Sequence, residues 1–167
     1  MNMELLPTTT LLNYKNVHEL MKVWPADKQL LIAGIVGDEA YLQALRQQAT
    51  DNIHFAAREL TDEEAKVVVE QSQAVIICHA EDNVVVSGTF FFAMSLRKQV
   101  IALETPFLAW AAASLPAGYT HVFSDLEALA QSLSHVDPTL TLDTGPIERE
   151  YGDDKIKASL KHLYKLQ

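Results

Sequence analysis

Three short stretches carry residue types that could bind an anion. Ser87-Gly88-Thr89 opens a segment in which Phe90, Ala93, Met94 and Leu96 recur at helical spacing. Two hydroxyls, free backbone N–H groups and the positive end of a helix dipole would suit that position to a diphosphate. The same three residues also read as a Ser/Thr cap with a glycine for close packing. Gly34-Ile35-Val36-Gly37-Asp38 follows the apolar run 29–33 but lacks the spacing of the dinucleotide fingerprint, so it does not point to a nicotinamide or flavin. Its glycines then serve a tight strand-to-helix turn. The turn Asn13-Tyr14-Lys15-Asn16 offers a lysine that reaches a phosphate if residues 87–89 hold one, and is otherwise a solvated turn.

Nucleophilic and metal chemistry find less support. There is no G-x-S-x-G elbow, and Cys78 ends an apolar run, where a thiol is buried and inert. The six histidines (His18, His54, His79, His121, His135 and His162) show no ligand spacing, and H-E-x-x-H does not occur. His79 is the best placed of them, although packing or capping explains it as well. One cysteine excludes a disulfide framework and a multi-cysteine zinc site. Neither a metal nor a resident cofactor is expected.

The elements that must position these stretches alternate in period. Apolar runs at 29–33, 52–55, 74–78, 100–103 and 121–123 read as five strands, continuous in apolar character where both faces of a parallel sheet are covered. Between them lie amphipathic segments. Val17, Leu20 and Met21 mark the first. Asp38 caps a helix from Glu39 to about Ala49, with Leu42 and Leu45 inward. Thr61 to Glu64 forms a capping box for a helix through Val69, and Pro106 takes a first helical position. Ser124 caps a helix over 125–133, and 135–146 is rich in turn residues. The last helix, from Asp153, gathers Ile156, Leu160, Leu163 and Tyr164 on one face and Lys157, Lys161 and Lys165 on another.

Strands alternating with helices define an α/β class, a Rossmann-like, doubly wound parallel sheet. The 167 residues suffice for one domain with a sizeable core, and 49% hydrophobic with 21% charged residues is a globular composition. Twenty-two acidic against 13 basic residues give a formal charge of −9, which argues against nucleic acid as a partner. The N-terminal stretch has no signal-peptide pattern, and the uncharged stretch 83–96 is too short for a bilayer span, so a cytoplasmic protein is expected.

In this order the segments resemble the C-terminal, donor-binding domain of bacterial GT-B-fold glycosyltransferases. Residues 14–20 (YKNVHEL) resemble the family's "yK-x-hxxLh" turn and helix, and residues 30–38 its "LhIhGxG" strand and loop. Residues 52–64 are similar to "NVxFxGxhxxeEh", residues 73–79 to "ADhhhhP" and residues 87–102 to "SGSxxxAhxxGkPVIA". Residues 122–133 and 151–164 match the family's last two segments. The likeness extends from about Leu12 onwards.

The resemblance implies one domain over residues 1–167 that binds a nucleoside-diphosphate sugar such as a UDP-sugar. It would serve exopolysaccharide or glycoconjugate biosynthesis as half of a hexosyltransferase. By position the diphosphate would meet Ser87, Gly88 and Thr89 with Lys15 as its cation, and Gly34 would allow close approach. The base would lie near Arg58, Glu59 and Leu60. Such transfer requires no metal. The family's acceptor-binding N-terminal domain is absent from these residues, so the chain would be inactive alone and need a separate domain or subunit.

Several departures stand beside the likeness. The family's two glutamates fall at Val84 and Phe92, the Gly-Lys-Pro turn reads Arg97-Lys98-Gln99, and the loop 82–86 is apolar where polar contacts are usual. An alternative reading is therefore a degenerate GT-B domain acting as a protein-interaction module, with Phe90 to Phe92 as its apolar feature. The basic face of the last helix would then dock a partner or make peripheral contact with an anionic membrane, or is simply solvated.

Overall fold

The computed structural model describes residues 3–11, 16–79, 88–137 and 139–164. Six strands form one parallel sheet: β1 (Met3–Leu11), β2 (Gln29–Val36), β3 (Ile53–Ala56), β4 (Ser72–Ile77), β5 (Gln99–Leu103) and β6 (Thr120–Phe123). Their spatial order is β3-β2-β1-β4-β5-β6. The chain winds outward from β1 in one direction and then returns to β4 to wind in the other. This is the doubly wound arrangement, with its topological switch between β1 and β4.

Eight helices connect or follow the strands among the described residues: α1 (Val17–Val23), α2 (Glu39–Gln48), α3 (Asp62–Gln71), α4 (Gly88–Ser95), α5 (Pro106–Ser114), α6 (Leu126–Ser132), α7 (Thr144–Tyr151) and α8 (Asp153–Tyr164). One face of the sheet buries Val17, Leu20, Leu42, Leu45, Leu129 and Leu133 against Leu30, Ile32, Ile76 and Ile101, so α1, α2 and α6 cover it. The other buries Val69, Phe90, Met94, Leu108 and Ala111 against Val75, Ile77, Val100 and Ala102, which places α3, α4, α5 and α7 there. Alternate residues of β4 and β5 enter opposite cores. That explains their unbroken apolar runs.

The central strand β1 is the element that hydrophobic pattern misses: five strands are expected and six are present. Pro7 lacks an N–H and is disfavoured inside a sheet, and Thr8 to Thr10 break any apolar run. The ladder accommodates this by irregularity. Pro7 pairs with Ala33 and Thr10 with Ile35, so β1 spends one residue more than β2 over that interval. Facing the irregularity, Gly34 takes φ 148°, a conformation that side-chain-bearing residues rarely adopt. β2 therefore runs through Gly34 to Val36 and does not end at Ala33 as the sequence implies.

Two further expectations need correction. Asp125, not Ser124, caps α6: its carboxylate accepts from the Ala128 N–H at 2.7 Å, while the Ser124 hydroxyl donates to Asp125. That helix gives way at Leu133 to a short 3-10 turn through His135. The turn-rich stretch conceals the start of α7, capped by Asp143, which accepts from the Gly145 N–H at 3.1 Å. α8 follows, exposed at every residue from Asp153 to His162.

The remaining helix starts form as their sequences dictate. Asp38 accepts from the Ala40 and Tyr41 N–H groups, and Thr61 with Glu64 completes a reciprocal capping box. Thr105 accepts from the Leu108 N–H ahead of Pro106.

Candidate functional site

In a doubly wound sheet the crevice for a ligand lies beyond the carboxyl ends of the strands at the switch point. Here that is the space beyond β1 and β4, entered by the starts of α1 and α4. Gly88 is the first residue of α4 and is exposed, and a Cβ built on it would meet nothing within 4 Å. Thr89 beside it is half-buried. An eight-residue helix thus begins beyond β4 with an exposed glycine as its first residue. Such a start presents backbone N–H groups and the positive end of the dipole. Lys15, Ser87 and the loop 82–86 with Val84 lie outside the described residues.

Just beyond β4, Cys78 and His79 are both buried, as a strand-end thiol is expected to be. Opposite them stands a group that sequence reasoning does not find. The Tyr41 hydroxyl on α2 lies 3.2 Å from Nδ1 of His18 on α1, with the rings edge to face. Nε2 of His18 in turn lies 3.2 Å from the Glu19 carboxylate, which also pairs with Lys22 at 2.7 Å. Burial raises the Tyr41 hydroxyl above its ordinary pKa, and the His18 backbone N–H acts in the opposite sense. Tyr41 thereby serves the start of α1, whose own cap residue Asn16 makes no side-chain cap bond. His18 and Tyr41 are 23 residues apart, and neither spacing nor residue type announces their contact.

Arg58, Glu59 and Leu60 follow β3, on the same carboxyl edge but separated from β4 by β2 and β1. Both terminal nitrogens of Arg58 grip Glu64, at 2.9 and 2.7 Å, and one also donates to the Glu59 carbonyl. The Arg58 guanidinium holds the Glu64 carboxyl down at about 2, with the Thr61 N–H assisting. The guanidinium is thus tied to the start of α3. The Glu59 side chain is exposed, and Leu60 packs half-buried on the second core.

Gly34 is buried within β2, opposite the β1 irregularity. The Arg97-Lys98-Gln99 turn also has a structural account. Arg97 takes the left-handed conformation at φ 58°, where the family pattern has glycine, and closes α4 through bonds from its N–H to Met94 and from Lys98 N–H to Ala93. The Lys98 ammonium donates to the Ser72 carbonyl at 2.8 Å, and Gln99 to the Asp137 carbonyl at 2.7 Å. Phe90 is fully buried while Phe91 and Phe92 pack against the same core, so the triple phenylalanine is core material and not an exposed patch. Among the described residues no group of three or more His, Cys, Asp or Glu is placed to hold a metal ion. No described helix is long and apolar enough to cross a membrane.

This architecture is the glycosyltransferase GT-B type, and solved structures match it along nearly the whole chain. The glycosyltransferase AviGT4, involved in avilamycin A biosynthesis, matches with TM-score 0.69 at 12% identity, over 98% of this chain and 50% of its own. Anabaena HepE, solved in complex with UDP, matches with TM-score 0.71 at 12% identity, over 99% of this chain and 48% of its own. The catalytic domain of the Helicobacter pylori cholesterol-α-glucosyltransferase matches with TM-score 0.61 at 16% identity, over 97% and 99%. The chain thus spans about half the length of AviGT4 and HepE. Neither a protein-family model nor a curated protein sequence matches it.

Proposed function

We propose that this chain is the nucleotide-sugar-binding domain of a glycosyltransferase and seats the donor's diphosphate at the start of α4. The observation that carries this reading is the exposed Gly88, opening α4 beside the topological switch with nothing within 4 Å of where a Cβ would stand. In support, a protein of the same fold has been solved with UDP. Ser87, Gly88 and Thr89 supply amides and hydroxyls to the diphosphate, Lys15 supplies a cation, and Gly34 allows the ligand's close approach. Arg58, Glu59 and Leu60 flank the base. Because Arg58 is engaged by Glu64, its contribution there is a fixed, already oriented guanidinium.

As the bond between the sugar's anomeric carbon and the diphosphate oxygen breaks, negative charge grows on the departing diphosphate. Amides preorganised toward that charge stabilise it without reorganising. The amides and Lys15 suffice for this, so the scheme calls on no metal. A separate acceptor domain or subunit completes the cleft, and the product is a polysaccharide or glycoconjugate. Without that second part the chain binds donor and transfers little.

Thermal unfolding in the presence of UDP, GDP and their sugar conjugates tests the reading. A ligand that binds only the folded chain adds about 2.7 kcal/mol of stability at a hundred times its dissociation constant. A concentration-dependent rise with one nucleoside diphosphate supports the proposal and names the base. A midpoint that none of them moves refutes the donor site as drawn for this chain.

A further inference from the structure

We infer that the donor's base is guanine, read by the Glu59 carboxylate; the inference rests on the donor-site reading above. Glu59 stands in the irregular stretch between β3 and α3, ahead of the Thr61 cap. Among the described residues no hydrogen bond or ion pair engages its carboxylate. The other acids nearby are accounted for. Asp62 and Glu63 fall in the first turn of α3, where the helix dipole favours negative charge. Glu64 is taken by Arg58 and by the Thr61 N–H. Neither a helix nor a partner accounts for Glu59. Its backbone is fixed all the same: the Glu59 carbonyl accepts from Nη1 of Arg58 at 2.9 Å, and the Arg58 N–H donates to the Ala56 carbonyl at 3.0 Å. The loop thus holds a positioned carboxylate beside a guanidinium whose charge Glu64 already answers.

The hydrogen-bonding edges of the bases decide which one suits that group. An ionised carboxylate only accepts, through two oxygens side by side. Guanine sets two adjacent donors, N1–H and the 2-amino group, against such a pair, giving two charge-assisted bonds. Uracil sets a single N3–H between two carbonyl oxygens. Cytosine and adenine set one amino group beside an acceptor nitrogen. In each of these three a lone pair then faces the carboxylate. Arg58 does not reverse the preference, because Nη1 and Nη2 are turned to Glu64 and the Glu59 carbonyl. Reach is compatible as well. β3 lies three positions from β4, about 14 Å at ordinary strand spacing, which an extended nucleoside diphosphate bridges from phosphate to base.

The test is calorimetric titration of the full chain with GDP, IDP, UDP and ADP. IDP keeps the N1–H of GDP and lacks only its 2-amino group. The native chain should bind GDP most tightly, IDP about tenfold more weakly, and UDP and ADP more weakly still. Glu59→Gln keeps the size of the side chain, removes its charge and sets an amide N–H against one of guanine's donors. It should weaken GDP at least about tenfold and narrow the gap between GDP and IDP. The unfolding midpoint should stay unchanged, because no bond to the carboxylate is lost. A loss equal for GDP and IDP, or no loss at all, overturns the inference, since the carboxylate then does not read the 2-amino group. UDP or ADP binding as tightly as GDP also overturns it, and leaves the donor site standing. Binding of none of the four refutes the donor site itself and the inference with it.

Discussion

Arg97 stands where the backbone turns left-handed to close α4, and a side-chain-bearing residue is strained there. Its side chain is exposed, so replacement removes little packing. Arg97→Gly should raise stability by about 0.5–1 kcal/mol, the relief of strain being partly offset by glycine's greater unfolded freedom. At this chain length that is a rise of about 1–4 °C in the unfolding midpoint, and an unchanged or lower midpoint would count against the account. Glu64 is a second residue with a measurable signature. Its carboxyl is held at about 2 against an ordinary 4.5, so the stability it contributes is present above pH 4.5 and is lost as pH falls toward 2. Denaturant midpoints of the native chain and Glu64→Gln should therefore differ at neutral pH and converge through that window. A gap that persists below it would deny Arg58 the role described. Thr61 and Glu64 were legible because a capping box is written in four adjacent residues. The Arg58 grip on Glu64 and the His18–Tyr41 contact were not, since each depends on how separate elements meet.

At the level of elements, the helix starts are the best-written features. Asp38, Thr61 and Pro106 each mark an onset where the structure has one, because a cap needs only local residues. Thr105 is buried and its hydroxyl accepts from the Leu108 N–H. Thr105→Ala should cost about 1–2 kcal/mol, read by urea unfolding, while Thr105→Ser keeps the oxygen and most of the stability. Equal losses in both variants would show that methyl packing, and not the cap, holds α5. Two elements were hidden for physical reasons. β1 carries Pro7 and three threonines, and only its two parallel neighbours make it a strand. α7 contains Gly145 and Pro146 near its first turn, which read as a turn until the Asp143 cap and the burial of Leu142 are seen. The stripe on α8 was legible as a helix but not as an exposed one. Periodicity shows that a face is apolar and leaves open what covers it.

For the whole molecule, the alternation of strands and helices was enough to define the class, and the order of its loops was enough to define the GT-B likeness. The sequence did not show that β1 lies at the centre, yet that placement puts the switch between β1 and β4 and brings α4 to its mouth. The chain covers about half of AviGT4 and HepE, and under the proposed function the cleft for transfer takes walls from a separate part. The central claim can be tested without them. Gly88→Ala adds a methyl into open space and removes glycine's freedom from the unfolded chain, so the fold should be as stable or slightly more so. The same methyl occupies the place proposed for the diphosphate. Calorimetric titration of the native chain and of Gly88→Ala with UDP and GDP is therefore the most direct measurement. The account predicts that one nucleotide binds the native chain and that the variant, unfolding at an equal or higher temperature, binds it at least tenfold more weakly. Equal affinity in both proteins, or heat from neither nucleotide with the native chain, would contradict it.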